Sequence, residues 1–273
     1  MINRMIPSTK ELLPVCGIGT WQTFDVNIQA PPASLKEVLQ TMQNAGSTLI
    51  DSSPMYGKSE EVVGELTSGA AWENYFFYAT KVWTTGKEEG IRQMESSLMK
   101  MKRQQMDLIQ IHNLTDWKTQ LKTLRDWKAA GKTRYIGITH YTDSMHEELE
   151  RVLKAEKVDF IQFNYSILAR NAEKRLLDVA ADLGVATLIN RPLDVGALFS
   201  KVKGKPLPSW AIEMDMSGWS VFFLKYIIAH PAVTCVIPAT GNPAHAADNL
   251  KAGEGRLPDL NTRKRMVEYL NGL

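Results

Sequence analysis

"TLIDSSPMYGKSEEVVGE", residues 48–65, begins on an apolar run, reaches Asp51, and carries a tyrosine five residues later at Tyr56. Its "GKS" invites a phosphate-loop reading, but that loop needs glycine at the first of its eight positions, where this chain has Ser52. Gly57-Lys58-Ser59 reads instead as a helix start, with Glu60 and Glu61 suited to the positive end of the helix dipole. The apolar run before Asp51 then reads as a buried strand that ends in an acid, with the tyrosine in the loop behind it.

Seven further runs share that character: "LPVCGIGTW", "YFFYATKVW", "DLIQIHN", "RYIGITH", "DFIQFNYSI", "VATLINRPL" and "TCVIPAT". Segments of helical spacing lie between most of them. Ile91, Met94, Leu98 and Met101 fall on one helix face, as do Trp117, Leu121 and Leu124. Asp143 and Ser144, with Glu147, can cap one helix start; Gly131 and Gly184 follow two helix ends; Asn242-Pro243 can open the helix after the last run. From Asp51 through Lys81, His112, Thr139 and Asn164 to Arg191, equivalent points recur every 25 to 31 residues, the length of one strand plus one helix. The next interval, to Pro238, is longer and holds the extra loop "LFSKVKGKPLPSWAIEMDMSG".

Alternation of this kind implies a parallel sheet, and eight units in this length imply an α/β fold of the (β/α)8 TIM-barrel type. We expect one domain over residues 1–273, with an N-terminal strand segment and an extended loop between strands seven and eight. A doubly wound nucleotide-binding sheet is disfavoured because "GIGTWQ" lacks the third glycine of its fingerprint.

Composition narrows the function. The net charge of +2 and the absence of a long basic block make nucleic acid a poor partner, and a small molecule is expected instead. Hydrophobic residues make up 44% of the chain, enough for a sizeable core. No apolar run reaches the roughly 18 residues of a membrane span, and the first residues do not resemble a signal peptide. A cytoplasmic protein, monomeric or weakly homo-oligomeric, is the expectation, with removal of a leader before residue 1 left open. Cys16 and Cys235 sit in apolar runs and read as buried thiols. The five histidines show no metal-ligand spacing, so no metal is expected, and no GxSxG elbow is present.

Catalytic groups of such barrels project from the C-terminal strand ends. There the sequence puts Asp51, Lys81 and His112 on three consecutive strands, with Tyr56 behind the first. Neighbouring strands lie about 4.8 Å apart, so these side chains can converge. A tyrosine near a lysine, with an aspartate to hold the lysine and a histidine beside it, suits proton donation to a carbonyl oxygen. Trp21, Phe24, Trp83 and Tyr141 can line an apolar substrate cleft.

The chain resembles the aldo-keto reductases: "IDSSPMYGKSE", "ATKVW" and "QIHN" match that family's Asp-Tyr-Lys-His tetrad motifs, and the likeness runs from "PVCGIGTWQTF" to "VIPATGNPAHAADNL". The resemblance implies that Tyr56 is the general acid, tuned by Lys81 and His112, with Asp51 holding Lys81. It implies NAD(P)H-dependent reduction of an aldehyde or ketone to the alcohol, by hydride from a nicotinamide dinucleotide held across the barrel mouth. Gly19, Thr20 and Trp21 match the first loop, Thr139-His140 and Gln162 the nicotinamide site, Asn190 with Arg191, Pro192 and Leu193 the loop after strand seven, and Thr240, His245 and Asn249 the segment after strand eight. Asn190 stands where an aromatic residue often stacks on nicotinamide. Ala239 and His245 stand where cations often grip a 2′-phosphate, so NADP(H) is the family expectation while NAD(H) stays open. The alternative reading is a nicotinamide-nucleotide-binding sensor or regulatory subunit with little turnover.

Overall fold

Barrel strands alternate inward and outward side chains, and in the computed structural model this alternation sorts the chain's apolar runs into two cores. The structure describes residues 1–69, 72 and 74–273. In chain order the elements are β1 (Asn3–Met5), β2 (Leu12–Pro14), β3 (Ile18–Gly19), α1 (Ala33–Asn44), β4 (Leu49–Asp51), α2 (Ser59–Thr67), β5 (Phe77–Val82), α3 (Lys87–Lys100) and β6 (Met106–His112). There follow α4 (Trp117–Ala129), β7 (Thr133–Thr139), α5 (His146–Ala155), β8 (Phe160–Asn164), α6 (Leu176–Asp182) and β9 (Ala186–Asn190). The chain ends with α7 (Ala197–Lys201), α8 (Ser209–Ile212), α9 (Trp219–Ile228), β10 (Cys235–Val236), α10 (Pro243–Leu250) and α11 (Leu260–Asn271).

Strands β3 to β10 form one eight-stranded parallel sheet in sequential order. Parallel bridges Cys16–Val236 and Gly19–Ala239 join the first strand to the last, with Gly17 N–H donating to Val236 O at 2.9 Å. The expected (β/α)8 barrel is therefore the fold. The first and last runs, long in sequence, yield only two residues of regular strand each, because they meet at this seam.

Inward-pointing Leu49, Phe77, Ala79, Leu108, Tyr135, Phe160 and Leu188 fill the barrel. The antiparallel hairpin β1–β2 contributes Ile6 and Leu13 to the same cluster and so covers one end of it. A second core lies between sheet and helices. Leu35, Val38, Leu39 and Met42 form the buried stripe of α1, and α9 is buried from Val221 to Ile228, as its apolar sequence requires.

Capping followed the sequence at one site and departed from it at another. Asn242 Oδ1 accepts from Ala244 N–H at 2.9 Å ahead of Pro243, opening α10 as expected. Asp143 and Ser144 cap nothing by side chain; residues 143–145 form a 3₁₀ turn and α5 starts at His146. The Asp143 carboxylate is taken instead by Asn164 Nδ2 at 2.6 Å, a stronger use of the charge. The extended loop between β9 and α9 holds the short helices α7 and α8. Among the described residues, no helix is long and apolar enough to cross a membrane.

Candidate active site

Toward the C-terminal ends of the strands the barrel interior changes from apolar to polar. Inward positions that read Leu49, Ala79, Leu108, Phe160 and Leu188 are followed two residues later by Asp51, Lys81, Gln110, Gln162 and Asn190. Lys81 is fully buried, and its Nζ donates to Asp51 Oδ2 at 2.6 Å and to Ser52 O at 2.7 Å. Asp51 Oδ1 accepts from Gln110 Nε2 at 3.1 Å and Gln162 Nε2 at 3.0 Å. A buried ion pair is tolerable when further hydrogen bonds satisfy the remaining lone pairs, and both glutamines supply them. Burial opposes the Lys81 charge, but Asp51 and Tyr56 outweigh it and hold the ammonium above its ordinary value.

Tyr56 sits over this pair: Lys81 Nζ lies 4.9 Å from its ring centroid. The loop that carries it is fixed by Gly57, at φ +60°, where a Cβ would collide with the Asp25 carboxylate. That carboxylate accepts from Lys58 N–H at 3.0 Å, supplying from a distant loop the cap that α2 lacks locally. Burial raises the Tyr56 pKa above its ordinary value; Lys81 opposes the rise and Asp51 adds to it. Tyr56 is thus a neutral phenol at neutral pH, with a proton to give.

His112 packs edge-on to Tyr56, ring centroids 5.8 Å apart. Burial, then the positive charge of Lys81 and His140, lowers its pKa to about 3, so the imidazole is neutral. Its Nδ1 lies 3.0 Å from Ser53 Oγ, which already accepts from Met55 N–H at 3.2 Å. A Ser53 hydroxyl that donates to Nδ1 leaves the imidazole proton on Nε2.

Above these groups opens a cleft of about 600 Å³, within the range of small-molecule sites. Of the residues expected there, Gly19, Thr20, Trp21, Asp51, Tyr56, His112, Thr139, Tyr141, Gln162, Asn190, Arg191, Pro192 and Leu193 line it. Lys81 lies beneath its floor. Met55, Asn113, Val195 and Phe199 also line it. The sequence signal for Asn113 was its place directly after His112; Val195 and Phe199 come from the segment that runs on from Leu193 into α7. Gln110 was missed as well, although a lone polar letter inside the apolar "DLIQIH" marks it.

Several expected residues stand elsewhere. Phe24 is fully buried in the core, because a turn closed by Phe24 N–H to Thr20 O at 3.1 Å folds it inward. Trp83 does not border the cleft, though its ring lies 6.3 Å from that of His112. The His140 ring is not among the cleft lining; it stacks on Tyr141 at 5.3 Å, and its Nδ1 accepts from Tyr141 N–H at 3.0 Å. Thr240 and Asn249 line a separate small crevice beside α10 that shares Pro238 with the cleft. His245 is exposed on α10. The chain still borders the cleft through Ala239, and these three residues, further along the chain, are not among its lining.

The Asn190 amide is oriented by two acceptors: Nδ2 donates to His140 O at 3.2 Å and to Gln162 Oε1 at 3.4 Å. Its Oδ1 is enclosed without a partner, as is the Oδ1 of Asn113, which also lines the cleft. Arg191 adds a cation at the rim, its guanidinium 5.6 Å from the Tyr141 ring centroid.

Known proteins resemble this chain along most of its length. The sequence model of the Aldo/keto reductase family matches residues 16–264. The chain belongs to this family of oxidoreductases. It is 25% identical over 258 residues to methylglyoxal reductase YeaE of Escherichia coli (strain K12), covering 91% of this chain and 89% of that protein. It is 27% identical over 228 residues to the NADH-specific methylglyoxal reductase of Escherichia coli (strain K12), covering 71% and 68%. To the aldo-keto reductase YhdN of Bacillus subtilis (strain 168) it is 25% identical over 202 residues, spanning 60% of that protein's length. An aldo-keto reductase of Klebsiella pneumoniae solved in complex with NADPH superposes with a TM-score of 0.80 at 21% identity, over 99% of this chain and 96% of that one. At that identity the likeness establishes the fold.

Proposed function

We propose that this aldo/keto reductase reduces an aldehyde or ketone to the alcohol with a reduced nicotinamide dinucleotide, Tyr56 acting as the general acid. The observation that carries this reading is the Tyr56 ring lining the cleft with its centroid 4.9 Å from the Nζ of the buried Lys81, which in turn donates to Asp51 Oδ2 at 2.6 Å. Carbonyl reduction needs a proton at oxygen as negative charge develops there, and a positioned acid supplies about 10² to 10⁴ fold of the rate.

The cleft fits the nucleotide: Thr139 and Gln162 offer polar atoms on its floor, Asn190 holds an unpaired acceptor beside them, and Arg191 stands at the rim for a phosphate. When bound, the nicotinamide nucleotide supplies the hydride. Tyr56 gives its phenolic proton to the carbonyl oxygen. Lys81, held by Asp51, stabilises the phenolate left behind, because charge is worth more where water is excluded. His112, neutral with its proton on Nε2, donates a second hydrogen bond to the same oxygen and orients the carbonyl. Trp21, Met55, Tyr141, Val195 and Phe199 exclude water and receive the rest of the substrate.

The relatives named as methylglyoxal reductases point to small, reactive carbonyls as substrates. Consumption of NADH and NADPH, followed with methylglyoxal and a panel of aldehydes and ketones, tests the reading. Turnover with at least one small aldehyde supports it. Nucleotide binding with no turnover on any carbonyl overturns it in favour of a binding or sensing role.

A further inference from the structure

Gln110 has no part in the chemistry above, yet the fold makes room for it at the centre of the site. It is fully buried on β6, pointing into the barrel with Leu108 and His112. The strand pairing places it between Lys81 on β5 and Gly137 on β7. A Cβ at Gly137 would stand 3.1 Å from Gln110 Cγ and 2.8 Å from Phe160 O, so the missing side chain leaves the space in which Gln110 lies. Its amide orientation is defined by both ends. Nε2 donates to Asp51 Oδ1 at 3.1 Å, while Oε1 accepts from Gln162 Nε2 at 3.3 Å. Reversing the amide would set an oxygen against a carboxylate and an N–H₂ against another, so the observed orientation is the one the neighbours permit.

A polar side chain placed among barrel residues, where apolar ones pack as well, needs a reason, and the chemistry of its contacts supplies one. Asp51 must present Oδ2 to Lys81 and not share its charge elsewhere. Two glutamine donors on Oδ1 hold the carboxylate plane and satisfy its outward lone pairs. The charged and titratable groups that act on Gln110 or its partner Asp51 are Asp51 itself from β4, Lys81 from β5, Tyr56 from the loop after β4 and the buried Cys235 thiol from β10.

We propose that Gln110 is a positioning residue for the proton-donating step: by donating to Asp51 and tethering Gln162, it keeps the Asp51 carboxylate on Lys81 and the Lys81 ammonium beneath Tyr56. This rests on Tyr56 being the proton donor. Without the Gln110 donor, Asp51 becomes a stronger base, draws more on the Lys81 proton, and leaves less positive charge to stabilise the Tyr56 phenolate.

The test compares Gln110→Met, which keeps the shape and removes the donor, with Gln110→Glu, which donates to Asp51 only when its carboxyl is protonated. Single-turnover rates of carbonyl reduction are followed from pH 5 to 9, with thermal unfolding measured on each protein and Tyr56→Phe run alongside. The expected result is a rate about tenfold down in Gln110→Met at every pH, the equivalent of one lost hydrogen bond to a charged group. KM should stay within about twofold, and Gln110→Glu should recover rate as pH falls. A wild-type rate in Gln110→Met overturns the proposal. Equal, pH-independent losses in both variants, or losses that track a fall in unfolding temperature, assign Gln110 to packing and also overturn it. Should Tyr56→Phe keep full rate, the proton-donor reading itself fails and this inference with it, an outcome distinct from the others.

Discussion

Lys81 Nζ and Asp51 Oδ2 lie 2.6 Å apart with both side chains enclosed, their exposures 0% and 3%. An ion pair in such a place contributes little net stability, yet removing one partner strands a charge. Asp51→Asn is therefore expected to destabilise the protein by roughly 3 to 5 kcal/mol in denaturant unfolding. The double change Asp51→Asn with Lys81→Met should regain part of that stability and none of the turnover. A double variant no more stable than Asp51→Asn alone would show that the pair is not coupled as described.

His112 is held neutral by burial, with a pKa lowered to about 3 from an ordinary 6.5. A base whose folded pKa lies below its unfolded value favours folding fully above pH 6.5 and loses that contribution as pH falls from 6.5 toward 3. Burial lowers His140, His146 and His230 in the same direction. Wild-type stability should decline between pH 6.5 and 4, and His112→Gln should flatten part of the decline. Urea midpoints at pH 8, 6.5, 5 and 4 check this, and parallel pH curves for the two proteins would contradict it.

Gly57 joins Tyr56 to α2 at φ +60°, with the Asp25 carboxylate in the space a side chain would need. Gly57→Ala should therefore displace both Asp25 and the Tyr56 loop. We expect a stability loss on the order of 1 to 3 kcal/mol, from the left-handed backbone and the clash, and a fall in turnover larger than any change in nucleotide affinity. Asp25→Ala should lower stability less, because only the cap on Lys58 N–H is lost. A Gly57→Ala protein with wild-type turnover would remove the loop from the account.

The family resemblance puts Ala239 and His245 where cations grip a 2′-phosphate, and the structure adds that Ala239 borders the cleft while His245 is exposed on α10. NADH should bind at least as tightly as NADPH in a fluorescence titration. Ala239→Lys should improve NADPH binding about tenfold, the scale of one charge-assisted hydrogen bond, with little effect on NADH. A wild-type preference for NADPH of tenfold or more would show that other groups hold the phosphate.

Much of this was legible in the sequence for a definite physical reason. Continuous apolar runs between helical stripes mark strands buried on both faces, and a regular repeat of strand plus helix requires them parallel; residues at strand ends follow from that frame. Asp51, Lys81 and His112 were readable because their positions are set by the ladder. Phe24 was not, because a turn closed through Thr20 decides which way it faces. Thr240, Asn249 and His245 were placed by matching motifs, which carry no information on the path of the chain after β10. Gln110 was hidden for the opposite reason: its strand was recognised, but its meaning lies in Asp51 and Gln162, 59 and 52 residues away in sequence.

The proposed carbonyl reduction depends on Tyr56 as the proton donor. Single-turnover reduction of a small aldehyde by Tyr56→Phe, beside nucleotide titration of the same protein, tests it most directly. The predicted result is a rate down by about 10² to 10⁴ fold with nucleotide affinity within about twofold of wild type. A Tyr56→Phe protein that reduces the aldehyde at the wild-type rate would contradict it.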